Sequence, residues 1–130
     1  MKVVLGGSPR MRPVFRNAEA PWLGDRSNKF KLTEDWLVWI DGEMYTVPKG
    51  YITDGSTIPR VVWWLFPPTY GPAFRAAIFH DWCYSHYHTK VDKLWADKAF
   101  KAIMLYDEAP AVVAASFYRA VRMGGSGGWE

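Results

Sequence analysis

Residues 76–84 read AAIFHDWCY, and the rest of the chain is organised around this stretch. The wider segment 74–87 contains no Pro or Gly, which predicts a helix with a mostly buried face. On such a helix His80 and Tyr84 share one face, whereas Asp81 is turned about 100° away. A buried carboxylate needs a cation, a hydrogen-bond network or water. The His80–Asp81 pair is therefore either a functional site or a pair of satisfied polar residues at the edge of the core.

Length and composition indicate one domain. The chain has 130 residues, of which 49% are hydrophobic, and this excludes general disorder. No apolar run approaches the roughly 18 residues of a membrane span, and the apolar patch near the N-terminus is too short for a signal peptide. The net charge of +3 is spread along the chain, so we expect no nucleic-acid partner. The single Cys83 lies between aromatic residues and predicts a packed thiol.

The first half of the chain predicts β-structure. Residues 1–28 are punctuated by Gly and Pro and predict an irregular N-terminal arm, either floppy or ordered against the domain or a partner. Strand-forming residues dominate 30–47, where Asp41-Gly42 predicts a β-hairpin turn.

A polar loop follows the strands. It contains Asp54-Gly55 and leads to an aromatic segment, residues 63–66, which reads WWLF. This segment belongs either to the core or to an exposed knob that contacts lipid or protein.

The second half predicts three helices, at 72–87, 91–105 and 110–123. The expected fold class is α+β, with a β-hairpin region followed by a mainly helical part. We expect a single compact domain over 29–123 and a Gly-rich tail over 124–130.

The positions of His80 and Asp97 in the first two predicted helices indicate a functional site. Their link is short, so we expect them to pack antiparallel. His80 and Asp97 lie at equal distances from this link, so we expect them at similar height, facing each other if the phases of the two helices match. A carboxylate opposite a histidine orients the base and stabilises its imidazolium form.

Two resemblances arise at these residues. The chain resembles a family of small bacteriophage and prophage proteins, through the segments VPKGYITDGSTIP (47–59), WWLF (63–66), AAIFHDWCY (76–84) and ADKAF (96–100). The active-site pattern is also similar to that of small secreted phospholipases A₂, where an Asp-Gly loop precedes a His-Asp-x-x-Tyr helix and an antiparallel helix adds another Asp.

The phospholipase resemblance implies catalytic roles for three side chains. His80 would be the general base that takes a proton from water. Asp97 would orient His80, and Tyr84 would hydrogen-bond Asp97.

The same resemblance implies a calcium site. Asp81 would bind calcium together with Asp54 and nearby backbone carbonyls. The Gly55 N–H and the calcium ion would stabilise the oxyanion formed at an ester carbonyl.

Two functions follow as expectations. One is a calcium-dependent lipid ester hydrolase of the phospholipase A₂ kind, acting on host membrane lipid during phage entry or release. The other is a non-catalytic phage tail or virion component that docks with other phage structural proteins. Under either function the protein is expected to be phage-associated and made in the host cytoplasm, and the virion is a candidate location.

Overall fold

Antiparallel strands precede three helices in the computed structural model, which describes residues 1–13, 30–53, 71–86 and 92–123. The strands are β1 (Val3–Leu5), β2 (Met11–Pro13), β3 (Phe30–Leu32), β4 (Trp36–Ile40), β5 (Glu43–Val47) and β6 (Ile52–Thr53). The helices are α1 (Gly71–His86), α2 (Lys93–Tyr106) and α3 (Ala111–Met123). The α+β class and its layout, predicted from the sequence, are confirmed.

The first sheet has the order β1–β4–β5 and is antiparallel. β4 and β5 form the predicted hairpin at Asp41-Gly42. Both turn residues have positive φ, 52° and 85°, as a two-residue type I′ turn requires. Alternate residues of β4 are buried, namely Trp36, Val38 and Ile40, so the sheet presents one face to the core.

The second sheet has the order β2–β3–β6 and is also antiparallel. The prediction of an irregular arm over 1–28 is wrong for the part that forms β1 and β2, while 14–28 lies outside the described residues. Each of these strands has only three residues, too few to show a period of two. Their partners, β4 and β3, come much later in the chain, so tertiary pairing rather than local pattern decides the structure here.

The segment between β1 and β2 is held against the helices. The Gly7 carbonyl accepts hydrogen bonds from Trp36 Nε1 at 2.9 Å and from Arg75 Nη1 at 3.1 Å. Arg75, in α1, also donates to both carboxylate oxygens of Asp107, which follows α2. These bonds connect the N-terminal segment, the first sheet and two helices.

The predicted helices agree with α1, α2 and α3 to within two residues at each end. Two contacts establish that α1 and α2 are antiparallel. Arg75, early in α1, contacts Asp107 beyond the end of α2, whereas His80, later in α1, contacts Asp97 in the first half of α2.

Both ends of α2 are capped. The Asp92 side chain accepts a hydrogen bond from the Trp95 backbone N–H at 2.7 Å, which makes it the N-cap. The C-terminus is a Schellman motif, in which the Ala109 N–H donates to the Met104 carbonyl at 3.0 Å. Glu108 occupies the left-handed position of this motif with φ of 66°.

Aromatic rings fill the core between the sheets and the helices. Phe79 of α1, Phe100 of α2 and Phe117 of α3 are buried, and burying a side chain of this size contributes about 1.5–3 kcal/mol. The rings of Phe100 and Phe117 stack with centroids 6.2 Å apart. Tyr45 of β5 packs edge-on against Phe79 with centroids 6.1 Å apart. Cys83 is enclosed in the same core, and burial raises the pKa of its thiol, so it stays protonated at neutral pH.

Several predicted features lie outside the described residues. They are the Asp54-Gly55 loop, the aromatic segment 63–66 and the tail 124–130. Within the described part of the chain, none of the helices combines the length and the apolar character that crossing a membrane requires.

Candidate functional site

The His80 ring and the Asp97 carboxylate meet at the interface of α1 and α2, as the spacing predicts. His80 Nε2 lies 2.5 Å from Asp97 Oδ1. Both residues are buried, with exposed fractions of 4% and 0%. The ring of Phe100, three residues after Asp97, stands nearly perpendicular to the His80 ring with centroids 5.7 Å apart. The hydrogen bond to Asp97 and the contact with Phe100 both orient the imidazole.

The second oxygen of Asp97 binds two further basic side chains. Lys93 Nζ lies 2.8 Å and Arg122 Nη1 lies 2.9 Å from Oδ2. Lys93 precedes Asp97 by one helical turn, whereas Arg122 comes from the last turn of α3. Lys93 Nζ also donates to the Val121 carbonyl at 2.7 Å, so it caps the C-terminus of α3. This group of side chains, here called the Asp97 cluster, joins all three helices.

The pKa of Asp97 reflects a competition between burial and its partners. Burial raises the pKa, because the charged form loses its hydration. The hydrogen bonds from His80 and Lys93, and the electrostatic interactions with these two side chains, lower the pKa by more. The net result is a pKa below the ordinary value, so Asp97 is ionised at neutral pH.

This ionisation state sets the tautomer of His80. An ionised carboxylate only accepts hydrogen bonds, so His80 Nε2 must carry the proton of the bond to Asp97. In a neutral imidazole the lone pair then resides on Nδ1. The geometry therefore assigns proton uptake to Nδ1.

Asp81, the next residue, faces away from the Asp97 cluster and toward the second sheet. Its Oδ2 accepts hydrogen bonds at 2.8 Å from the Tyr51 and Thr53 hydroxyls. Ser85, one turn later in α1, donates to the Asp81 carbonyl at 2.6 Å, and its Oγ lies 3.3 Å from the Tyr51 hydroxyl. We call these four residues the Asp81 cluster. Two adjacent positions of α1 thus serve two different polar clusters.

One oxygen of the Asp81 cluster, Asp81 Oδ1, is a suitable ligand for a cation. Asp81 is only 9% exposed, and within the described part of the chain neither a hydrogen-bond donor nor a basic side chain contacts its Oδ1. A carboxylate oxygen that belongs to a buried residue and has no donor suits a hard cation such as calcium.

The other calcium ligands named by the resemblance lie outside the described residues. Among the residues that are described, no three His, Cys, Asp or Glu side chains converge as a metal site. Thr53, which bonds to Asp81, is the last described residue before Asp54-Gly55. The calcium site at Asp81 and Asp54, with Gly55 beside it, therefore stays a prediction.

The hydrogen bond from Tyr84 to Asp97 that the resemblance implies stays a prediction. The described partners of the Asp97 carboxylate are His80, Lys93 and Arg122, and Tyr84 is not among them. Two basic side chains thus hold Asp97 Oδ2, where the resemblance implies a hydroxyl.

Four side chains that bond to the carboxylates of Asp81 and Asp97 were not predicted from the sequence, although the spacing of three of them indicates the contact. Lys93 is four residues before Asp97, which places both on one helix face. Tyr51 and Thr53 alternate along a strand and therefore point to the same side. No spacing in the sequence indicates the contact of Arg122 with Asp97, because this contact depends on how α3 packs against α2.

The model of one protein family, described as Protein of unknown function (DUF1353), matches residues 30–121. This match extends from β3 to the last turn of α3 and covers well over half of the chain. The chain belongs to this family. No curated protein and no solved structure shows a significant match.

The region that matches the family contains most of the site. It includes His80, Asp97, Lys93 and the whole Asp81 cluster, whereas Arg122 lies one residue beyond its end. The strands β1 and β2 precede it. The description of the family names no activity, so the phage and phospholipase resemblances enter as proposals.

Proposed function

We propose that the protein hydrolyses lipid esters, in the manner of a phospholipase A₂, with His80 as the general base. The observation that carries this proposal is the 2.5 Å hydrogen bond between His80 Nε2 and Asp97 Oδ1. In the proposed reaction His80 Nδ1 takes a proton from water, and the water oxygen attacks the ester carbonyl. The ester C–O bond then breaks, and the leaving alcohol takes the proton back from His80 Nδ1, which releases a fatty acid and restores the neutral imidazole. Asp97 holds the ring in the required tautomer and stabilises the imidazolium that forms.

Lys93 and Arg122 have a positioning role in this proposal. They bind Asp97 through Oδ2, which leaves Oδ1 directed at His80. They also offset part of the negative charge of the carboxylate, so Asp97 stabilises the imidazolium less than a carboxylate held by neutral hydroxyls would. We therefore expect the rate to be modest for a site of this type.

Calcium would supply the electrophile. Asp81 and Asp54 would hold the ion, and the Gly55 N–H would lie beside it. When bound, calcium would polarise the ester carbonyl and stabilise the oxyanion. The support for this part is Asp81 Oδ1, an oxygen of a buried residue to which the described residues offer no donor.

The test is fatty-acid release from mixed phospholipid vesicles, with calcium or with a chelator. We expect His80→Gln to reduce the rate by about 10²–10⁴-fold, the usual contribution of a general base. The Gln amide nitrogen can still donate to Asp97, so this variant removes the base and keeps the hydrogen bond. Asp92→Asn, at the exposed N-cap of α2, is the matched control and should retain wild-type activity. Release that is equal in wild type and His80→Gln would refute the proposal.

Calcium binding is tested separately by thermal unfolding. Binding to the native state alone raises stability by RT ln(1 + [L]/Kd), so saturating calcium should raise the Tm. Asp81→Asn should remove most of this rise, and His80→Gln should leave it intact. An unchanged Tm of the wild type at millimolar calcium would remove calcium from the mechanism.

One observation favours the second candidate, a non-catalytic phage component. The outward face of the first sheet exposes Val4 and Met44 on either side of Trp39, and these three residues are paired across the strands. Exposed apolar patches of this kind mark interaction sites. In this case another phage structural protein would cover the patch, and the Asp97 cluster would act only as a link between helices. Met44→Lys would then prevent incorporation into phage particles while the Tm stays unchanged.

A further inference from the structure

A groove between β1, α2 and α3 is not used by the proposed function. It has a volume of about 540 Å³. Its lining includes Lys98, Lys101, Ala102, Leu105, Tyr106 and Tyr118. The four α2 positions from Lys98 to Leu105 follow the i, i+3, i+4, i+7 spacing of one helix face. Small-molecule sites have volumes of about 300–1,000 Å³, so the groove is large enough for a ligand.

The two charged side chains that line the groove are both positive. Lys98 and Lys101 contribute two ammonium groups, and no acidic residue of the described ranges lines the groove. Within the described part of the chain, no carboxylate lies within ion-pair distance of either lysine. Lys101 Nζ lies 5.4 Å from the centroid of the Tyr118 ring, a cation–π contact that places the ammonium group beside the lining. The groove is therefore complementary to an anion.

The remaining lining is apolar and aromatic. Leu105 and Tyr106 are each 45% exposed, although both line a concave surface. Val3 and Ala102 add further apolar atoms, and the Tyr106 and Tyr118 hydroxyls add hydrogen-bonding groups. An apolar lining with a few convergent polar groups is the usual composition of a small-molecule site.

We propose that this groove binds a small anionic amphiphile, a carboxylate carrying an alkyl chain. The carboxylate bonds to Lys98 and Lys101, and the chain lies against Leu105 and Ala102. This proposal does not depend on the proposed hydrolase function, because none of the residues that line the groove belongs to the Asp97 cluster or to the Asp81 cluster.

The test is isothermal titration calorimetry of the full chain with dodecanoate. Dodecyltrimethylammonium has the same chain with the opposite charge, and acetate has the charge without the chain. We expect saturable binding of dodecanoate and none of the other two. Equal binding of the cationic amphiphile, or no binding of dodecanoate, overturns the proposal.

Two variants locate the binding. Lys98→Gln combined with Lys101→Gln should weaken dodecanoate binding by roughly tenfold or more, since each loses a charge-assisted hydrogen bond. Ala102→Trp keeps both charges and fills the groove, so it should abolish binding. Lys49→Gln, at an exposed lysine in the connection from β5 to β6, is the matched control and should bind as the wild type does. Retained binding in both groove variants, with melting curves like that of the wild type, would place the ligand elsewhere.

A final arm distinguishes a small ligand from a membrane surface. Vesicles of phosphatidylglycerol are mixed with the protein and sedimented. If the protein binds these vesicles through Lys98 and Lys101 but does not bind free dodecanoate, the surface is a lipid-docking face and the amphiphile proposal is wrong.

Discussion

Replacing Asp97 with Asn removes the negative charge that three basic side chains share. Asp97 is fully buried, so the variant leaves the Lys93 ammonium group without its counter-charge and the His80 ring without an ionised acceptor. Removing one member of a buried ion pair costs about 3–5 kcal/mol. Two features reduce this cost: Lys93 keeps the Val121 carbonyl, and the Arg122 side chain is 38% exposed and can turn to water. We therefore expect a loss of about 3 kcal/mol, at the lower end of that range.

Urea unfolding followed by tryptophan fluorescence measures this loss. With a slope of about 1–3 kcal/mol per molar urea, the midpoint should fall by about 1–3 M. Asp92→Asn makes the same chemical change at an exposed position of the same helix, where Asn caps as well as Asp. The free energy of unfolding of this control should change by less than about 0.5 kcal/mol.

The pH dependence of the stability difference between wild type and Asp97→Asn gives a second test. The pKa of Asp97 in the folded state lies below the unfolded value of about 3.9, so its contribution to stability is complete above that value. It is lost as the pH falls through the folded-state pKa. The difference in stability between wild type and Asp97→Asn should thus narrow below about pH 4. A loss below about 1 kcal/mol at pH 7, or a difference that does not narrow in acid, would refute the stabilising role of the cluster.

Three further substitutions test other parts of the structure. Glu108→Gly should raise the Tm, because it relieves a left-handed backbone costing about 1–2 kcal/mol and adds only about 0.5–1 kcal/mol of unfolded-chain entropy; a lower Tm would contradict this. Arg75→Met should lower the free energy of unfolding by about 1.5–3 kcal/mol, because the bonds to Asp107 are lost. Amide hydrogen exchange in β1 should become faster, because the bond to the Gly7 carbonyl is lost too; unchanged exchange would mean that strand pairing alone holds β1. Tyr51→Phe removes one of the two hydroxyl donors to Asp81 and should cost about 1–2 kcal/mol in urea unfolding, with no change expected only if water replaces the hydroxyl.

The sequence predicts those parts of the fold in which the decisive residues are close together in the chain. The turn at Asp41-Gly42 and the three helices depend on local pattern, and their bounds agree with the structure. The strands β1 and β2 escape prediction, because three residues carry too little periodicity and their partners are distant.

The candidate site divides in the same way. The contact between His80 and Asp97 is predictable as far as a short link and two equal spacings place both residues at the same height, whereas the phases of the two helices are seen only in the structure. Lys93 lies four residues before Asp97 on the same face of α2, so its bond to Asp97 is also predictable from local spacing. Arg122 arrives from a third helix, and the direction from which that helix approaches depends on core packing that the sequence does not display.

The first sheet also has consequences for the order in which the chain folds. Its β4–β5 hairpin closes over two residues, and hairpins form within about 1–10 μs. Pairing of β1 with β4 must instead close a long loop, since Lys2 and Asp41, which bond at one end of that ladder, are 39 residues apart. Until β1 arrives, β4 is an unpaired edge that carries Leu37 and Trp39, and such edges template association between chains. The interval before β1 docks is thus the stage at which newly made chains are most prone to aggregate.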